Sequence, residues 1–176
     1  MERTVAMTAL LLGFVGSVLG SDLKVGDPAP GINLKTDEGT DFDLHSRKGQ
    51  WTVIYFSPKA ETPGCTKQAC AFRDSISQIR MLGAELFGVS SDGLEALKTF
   101  KAKHNLNFTL LADPGLDAIK RYGTKMPLLR MSKRWTFIVD PDLRIRAIEK
   151  DVDPVLDARR VAEMLKELQT RVPGSP

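Results

Sequence analysis

The junction between an apolar run and a long helical pattern constrains this chain most. Residues 51–56, WTVIYF, form a compact run of β-branched and aromatic side chains, which predicts a buried strand. From residue 63 to about residue 82, apolar side chains recur at helical spacing, which predicts a helix. Both cysteines of the chain, Cys65 and Cys70, lie near the start of that helix. A strand that leads through a short connection into a helix favours an α/β fold, with both cysteines at the junction.

The rest of the chain continues the alternation of strands and helices. Segment 31–44 alternates weakly about a central Asp-Glu-Gly, which predicts an N-terminal β-hairpin. Further strands are predicted at 85–90, 108–112, 135–140 and 143–149, and further helices at 94–104, 116–122 and 154–169. The 176 residues suffice for one domain with a sizeable core. The expected architecture is a central mixed β-sheet flanked by helices on both faces.

The N-terminal segment differs in composition from the rest. Residues 5–19 are almost wholly apolar, which is short for a membrane span of about 20 residues but fits a secretory signal peptide. We therefore expect a signal peptide at 1–20 and a mature domain at 21–176 that is exported to the periplasm or secreted, without stable membrane association. Glu2 and Gly20 depart from the usual signal pattern. An uncleaved anchor, a buried core helix and a cytoplasmic location therefore remain alternatives.

The charge pattern argues against a nucleic-acid partner. The formal net charge is only +3, and the basic residues are spread along the sequence rather than clustered. A nucleic-acid groove needs a concentrated basic patch, so these charges predict an ordinary solvated surface.

The residues around Cys65 suggest a reactive rather than an inert cysteine. A cysteine attacks as the thiolate, and the unpaired N–H groups of a first helical turn, with the positive end of the helix dipole, favour that anion. Pro63 can begin a helix without losing a useful donor, and Gly64 lets a small substrate approach the backbone closely. Thr62 can cap the helix or hydrogen bond a reacting group. Pro58 can end the strand or shape a pocket.

Segment 55–74, YFSPKAETPGCTKQACAFRD, resembles the active site of a peroxiredoxin of the bacterioferritin-comigratory or peroxiredoxin Q branch. The resemblance rests on the spacing of Pro58, Thr62 and Cys65, and on Cys70 five residues after Cys65. The resemblance runs over about 23–168 and implies a thioredoxin-like fold. It implies that Cys65 attacks a peroxide, that Thr62 contacts both the peroxide and the thiolate, and that Pro58 shields the pocket.

The resemblance also implies a cation beside the thiolate. In the family, a segment of the form Arg-x-Thr/Ser-Phe supplies a guanidinium that lies against the sulfur, and here it reads RWTF from Arg134. Arg stays charged and presents a rigid fork of donors, which suits this role. Arg130, Lys133 and Arg73 are nearby alternatives in the sequence.

The resemblance implies a two-cysteine cycle without a metal or cofactor. Cys65 becomes a sulfenic acid, Cys70 condenses with it to a disulfide, and a thioredoxin-like dithiol protein reduces the pair. Residues five apart in a helix have Cα atoms about 8.7 Å apart, beyond the roughly 7 Å that a disulfide spans. The helix start is therefore expected to unwind. Many relatives in this branch are monomers, and we expect a monomer here.

Two alternative functions are also compatible with export, namely disulfide reduction and copper binding. A thioredoxin-like disulfide reductase needs Cys-x-x-Cys, whereas this chain has four residues between its cysteines. A copper-binding assembly protein typically has Cys-x-x-x-Cys and a late His, but here the only histidines are His45 and His104. Thiolates do bind Cu(I), so peroxide consumption and copper retention would separate the two classes.

Overall fold

A computed structural model describes residues 22–171 and arranges them around one seven-stranded β-sheet. The strands are β1 Asn33–Thr36, β2 Asp41–Asp43, β3 Trp51–Phe56, β4 Ala84–Ser90, β5 Thr109–Ala112, β6 Trp135–Val139 and β7 Ile145–Glu149. The helices are α1 Pro63–Met81, α2 Leu94–His104, α3 Asp117–Arg121 and α4 Asp157–Arg171, with a short 3-10 helix at Leu44–Arg47. Within 22–171, no helix is both long and apolar enough to cross a membrane.

The sheet has mixed topology, with strand order β2-β1-β5-β4-β3-β6-β7. The central strands β3, β4 and β5 are parallel, as helical crossovers require, whereas β6 runs antiparallel to β3, and β7 runs antiparallel to β6. The hairpin β1–β2 joins the far edge through an antiparallel pairing of β1 with β5. Strand β3 thus lies between β4 and β6, and every one of its residues is buried.

The alternation of side chains along β3 divides the core between the two faces of the sheet. Val53 and Tyr55 pack with the apolar sides of α1, α2 and α4. Ile54 and Phe56 pack on the opposite face with the hairpin region and α3. Burial of both faces explains why β3 reads as an uninterrupted apolar run rather than an alternating one.

The predicted architecture is confirmed as a mixed α/β fold with an N-terminal hairpin and helices on both faces. The predicted elements at 51–56 and 94–104 have the observed bounds, and most others differ by one or two residues. The largest shift is in the last helix, predicted from residue 154 but beginning at Asp157, because Asp153 first organises a turn through its side chain. The 3-10 helix was not predicted. The predicted signal peptide at 1–20 lies outside the described residues.

Candidate active site

Cys65 lies in the first turn of α1, just beyond the end of β3. The chain leaves the sheet at Phe56 and begins α1 at Pro63, which occupies the first helical position as predicted. Cys65 is the third residue of the helix and is only 2% exposed. Cys65 therefore belongs to the first turn of α1, whose N–H groups have no partner within the helix and favour a nearby negative charge.

The guanidinium of Arg134 lies against this sulfur. Arg134 directly precedes β6, and β6 pairs with β3 so that Trp135 stands opposite Phe56 at the edge where β3 ends. This register carries Arg134 to the start of α1. One guanidinium nitrogen, Nη2, donates to Cys65 Sγ at 3.4 Å, and the other, Nη1, donates to Gln68 Oε1 at 2.6 Å.

The alternative cations are engaged elsewhere. Arg130 donates to the Pro114 carbonyl, and Lys133 lies over the ring of Trp135. Arg73 binds the carboxylate of Asp74 and the carbonyl of His104. The structure therefore brings Arg134, rather than these neighbours, to Cys65. The permanent positive charge of the Arg134 guanidinium thus lies 3.4 Å from the Cys65 sulfur.

Gly64 makes room for the guanidinium of Arg134. A Cβ placed on Gly64 would stand 3.0 Å from Arg134 Nη2, which is tighter than ordinary van der Waals contact. The sequence suggested that this glycine opens the backbone to an approaching peroxide. The structure gives a different reason for a residue without a side chain, namely the approach of Arg134 to the neighbouring Cys65.

Thr62 and Pro58 border the site in the connection between β3 and α1, and both are half-buried. Thr62 occupies the N-cap position, but its side chain makes no cap hydrogen bond. Its hydroxyl instead donates to the Lys59 carbonyl at 2.9 Å, so its proton is not directed at Cys65. Because that proton is committed, the Thr62 oxygen presents its lone pairs, which suits it to accept a hydrogen bond.

The connection that carries Thr62 is held from two sides. Asp92 accepts hydrogen bonds from the Ala60 N–H and the Ser90 hydroxyl, both at 2.7 Å, and so ties the connection to the end of β4. Glu61 adopts φ 63°, a left-handed conformation that is uncommon for a residue with a side chain. Its carboxylate binds Lys103 Nζ at 2.6 Å, and this hydrogen bond lowers the pKa of Glu61.

Cys70 lies on the same helix as Cys65, and both cysteines are free thiols. It is partly exposed, in contrast to the buried Cys65. The helix is continuous from Pro63 to Met81, so the helical geometry that separates residues five apart holds between the two cysteines. They are not in position for a disulfide in this conformation.

A buried polar chain extends from Arg134 into the core, and the sequence reasoning missed it. Gln68 Nε2 donates to Asp157 Oδ2 at 2.6 Å, and the Thr136 hydroxyl donates to the same oxygen at 2.9 Å. Gln68, Asp157 and Thr136 are each no more than 1% exposed. The available signal was Gln68, a polar residue three positions after Cys65 on the apolar side of α1. Asp157 gave none, because an acid at a helix start usually stabilises the dipole in solvent.

Two ionisable groups of this region have strongly shifted pKa values. Burial is the largest cause for Asp157 and raises its pKa to about 6, against the lowering effect of its hydrogen bonds from Gln68 and Thr136. Burial likewise raises the pKa of Tyr55, and the nearby Cys65 and Asp157 add to that shift. The Tyr55 hydroxyl is therefore uncharged where it borders the site.

Comparison with known proteins decides the family. The model of the AhpC/TSA family matches residues 25–148. The chain belongs to this family. A Coxiella burnetii protein named as peroxiredoxin bcp is 40% identical over 132 residues, covering 72% of this chain and 87% of its own length. This chain therefore belongs to the bacterioferritin-comigratory and peroxiredoxin Q branch of the family, and it is a peroxidase.

Solved structures agree with the sequence relatives. A variant of peroxiredoxin Q from Xylella fastidiosa superposes with a TM-score of 0.79 at 26% identity, covering 85% of this chain and 99% of that one. The bacterioferritin comigratory protein of Xanthomonas campestris, in a study of its alkyl peroxide reduction, gives a TM-score of 0.73 at 26% identity, covering 78% and 91%. The predicted thioredoxin-like peroxiredoxin fold is confirmed.

Proposed function

We propose that Cys65 is the peroxidatic nucleophile of this peroxidase and that it reduces hydrogen peroxide and organic hydroperoxides. The observation that carries the proposal is the contact of 3.4 Å between Cys65 Sγ and the Arg134 guanidinium in the first turn of α1. The thiolate attacks one peroxide oxygen, the O–O bond breaks, and an S–O bond forms. The departing oxygen takes a proton and leaves as water or an alcohol, while Cys65 becomes a sulfenic acid.

The neighbouring residues have separate roles in this step. Arg134 stabilises the thiolate and the negative charge that develops on the departing oxygen, since it stays charged and offers two donor nitrogens. Thr62 accepts a hydrogen bond from the incoming peroxide through its free lone pairs. Pro58 has no N–H to donate and limits the access of water to the pocket.

Cys70 completes the cycle as the resolving cysteine. Its thiol attacks the Cys65 sulfenic acid, an S–S bond forms, and water leaves. A thioredoxin-like dithiol then supplies the two electrons that return both cysteines to thiols. The main support is that both cysteines lie on one helix and no other cysteine exists in the chain. The protein is proposed to act as a monomer without a metal or organic cofactor.

The disulfide step requires the start of α1 to unwind, because a regular helix holds the two Cα atoms about 8.7 Å apart. Hydrogen exchange on the reduced and oxidised proteins tests this requirement. The reduced form should protect the amides of residues 66–73, and the oxidised form should lose protection over part of that segment. Equal protection in a protein whose Cys65–Cys70 bond has been mapped would eliminate the unfolding step.

A peroxidase assay tests the whole proposal. Hydrogen peroxide and an alkyl hydroperoxide are each consumed with a thioredoxin, with a glutaredoxin or with dithiothreitol as reductant, and the oxidised protein is mapped by mass spectrometry. We expect turnover with a dithiol and a disulfide between Cys65 and Cys70. Turnover without that disulfide would leave Cys65 as the nucleophile and remove the resolving role from Cys70.

The cellular location is a separate proposal. We infer export to the periplasm or the exterior from the apolar run at 5–19 followed by Gly20 and Ser21. N-terminal sequencing of the protein from its native host decides this point. A mature start near Ser21 supports export, and a cytoplasmic protein that retains Met1 would refute it.

A further inference from the structure

The buried carboxylate of Asp157 has no role in the cycle described above, yet it is linked to the reacting centre by consecutive hydrogen bonds. It is separated from Cys65 by two residues, Gln68 and Arg134. Each link is short: 2.6 Å from Gln68 to Asp157, 2.6 Å from Arg134 to Gln68, and 3.4 Å from Arg134 to Cys65. Asp157 itself is only 1% exposed.

The carboxylate determines which end of the Gln68 amide faces Arg134. Since an ionised carboxylate only accepts hydrogen bonds, Gln68 must turn its NH2 group toward Asp157. Its carbonyl oxygen then faces the guanidinium and accepts from Nη1. The reverse orientation would set NH2 donors against a cation and would push Arg134 from the sulfur. The Thr136 hydroxyl donates to the same carboxylate oxygen as Gln68 does and so helps to hold that acceptor in place.

We propose that Asp157 is a positioning residue which, by orienting Gln68, holds the Arg134 guanidinium against the sulfur of Cys65. This inference rests on the proposed function, because it assigns Asp157 to the same reaction. Asp157 touches neither the peroxide nor the reacting sulfur and acts only through its two neighbours.

The charge state of Asp157 should therefore influence reactivity near neutral pH. Burial raises the pKa of this carboxyl to about 6, and its second oxygen, Oδ1, has no hydrogen-bond partner to stabilise the anion. The ionisable groups near enough to interact with its charge are Arg134 before β6, Glu149 on β7 and Tyr55 on β3. Protonation of Asp157 permits it to donate to Gln68, which allows the amide to reverse and loosens Arg134.

Stopped-flow measurement of the reaction between the reduced protein and hydrogen peroxide tests the proposal. Trp135, beside Arg134, offers an intrinsic fluorescence signal. Asp157→Leu removes the acceptor, and we expect the second-order rate constant to fall about tenfold or more, as is usual for the supporting partner of a reacting group. Asp157→Asn keeps an acceptor but can also donate to Gln68, so its rate constant should lie between those of Asp157→Leu and the wild type, as for the protonated wild type. Asp153→Asn makes the same charge change on the exposed turn before α4 and should match the wild type.

Two further readouts separate positioning from a general effect on folding. In an Arg134→Met background, Asp157→Leu should cause no additional loss of rate, because its effect passes through the missing guanidinium. The ratio of the wild-type rate constant to that of Asp157→Asn should change near pH 6, because the ratio cancels the ionisation of the nucleophile, which both proteins share. If Asp157→Leu does not fold, these pH profiles alone decide between the outcomes.

Three outcomes are distinguishable. A ratio of the wild-type to the Asp157→Asn rate constant that stays constant across pH 6, or a full additional loss from Asp157→Leu in the Arg134→Met background, overturns the positioning role. A wild-type rate in folded Asp157→Leu overturns it as well. In each of these cases the peroxide reaction of the wild type leaves the proposed function intact, whereas a wild-type protein that does not react with peroxide overturns both.

Discussion

The first and second turns of α1 each carry a cysteine, but they provide very different surroundings. Cys65, in the first turn, is 2% exposed, lies near the unpaired N–H groups and receives a hydrogen bond from Arg134 at 3.4 Å. Cys70, five residues later, is partly exposed and lies where the N–H groups of the helix are already bonded within it. Residue type therefore does not separate the two thiols. The position in the helix and the approach of one guanidinium do.

The two turns of α1 also have different tasks in the disulfide step of the proposed cycle. The first turn is fixed by Arg134 and by the connection that Asp92 and Lys103 hold through Ala60 and Glu61. In the proposed cycle, those contacts would favour attack on a peroxide and would oppose the unwinding that the disulfide step requires. A partly exposed Cys70 can react once the turn opens. The two steps of the proposed cycle would therefore rely on different turns of the same helix.

Replacing the two cysteines should give the largest contrast. Cys65→Ser should abolish peroxide consumption, because the hydroxyl of serine is not ionised by the charges that favour a thiolate. Cys70→Ser should still permit one turnover and leave a sulfenic acid that a dimedone-type reagent traps. Steady-state and single-turnover assays on both variants measure this. A first turnover that survives in Cys65→Ser and disappears in Cys70→Ser would reverse the roles of the two turns.

Loss of the guanidinium should remove most of the advantage of the first turn. Arg134→Met keeps the bulk of the side chain but not its charge, and we expect the second-order rate constant with peroxide to fall about 100-fold to 1,000-fold. Arg159→Met is the matched control, since Arg159 is exposed on α4 and takes no part in the hydrogen bonds that link Cys65, Arg134, Gln68 and Asp157. Equal rate constants for the two variants would mean that Arg134 does not support the reaction.

A smaller effect is expected from crowding the guanidinium. Gly64→Ala places a methyl group 3.0 Å from Arg134 Nη2 and should displace the guanidinium from Cys65. We expect a fall in the peroxide rate constant of about tenfold, since small misplacements of a catalytic group are costly. Gly93→Ala is the control, because a Cβ at Gly93, the N-cap of α2, meets no atom within 4 Å. Unchanged kinetics in Gly64→Ala would show that Arg134 tolerates displacement.

The residues in the first turn of α1 could be predicted from the sequence better than the buried polar residues Gln68, Thr136 and Asp157 beyond Arg134. Trp51–Phe56, the start of α1 at Pro63 and the adjacency of Cys65 and Arg134 all follow from local patterns and one motif. Asp157 was missed because it is near the other residues of the site only through tertiary packing of α4 against α1. An acid at a helix start reads as solvent-exposed, and its burial depends on contacts 89 residues apart in sequence.

The orientation of Thr62 shows a second limit. The motif places this residue three positions before Cys65, but it does not specify where the hydroxyl proton points. That direction is determined by the fold of the connection, which brings the Lys59 carbonyl within 2.9 Å. Spacing alone therefore predicts the members of the site more reliably than their hydrogen bonds.

The burial of the Asp157 carboxyl should lower the free energy of unfolding by a measurable amount. The folded-state pKa of Asp157 is about 6, above its ordinary value of 3.8, so the folded protein binds the proton more tightly than the unfolded chain does. This group's contribution to stability therefore decreases as the pH rises from about 4 to 6, by up to about 3 kcal/mol. Chemical denaturation of wild type and Asp157→Asn across this range measures it. The variant should lack this decrease, and parallel pH profiles would contradict the shift.

The most direct measurement is the location of the first oxygen atom that the reduced protein accepts. The wild-type protein is mixed with one equivalent of hydrogen peroxide, quenched after milliseconds in the presence of a sulfenic-acid trap, digested and analysed by mass spectrometry. The account predicts that the earliest modified residue is Cys65, with Cys70 changing only later as the disulfide forms. A trap adduct that first appears on Cys70 would contradict the assignment of the nucleophile to the first turn of α1.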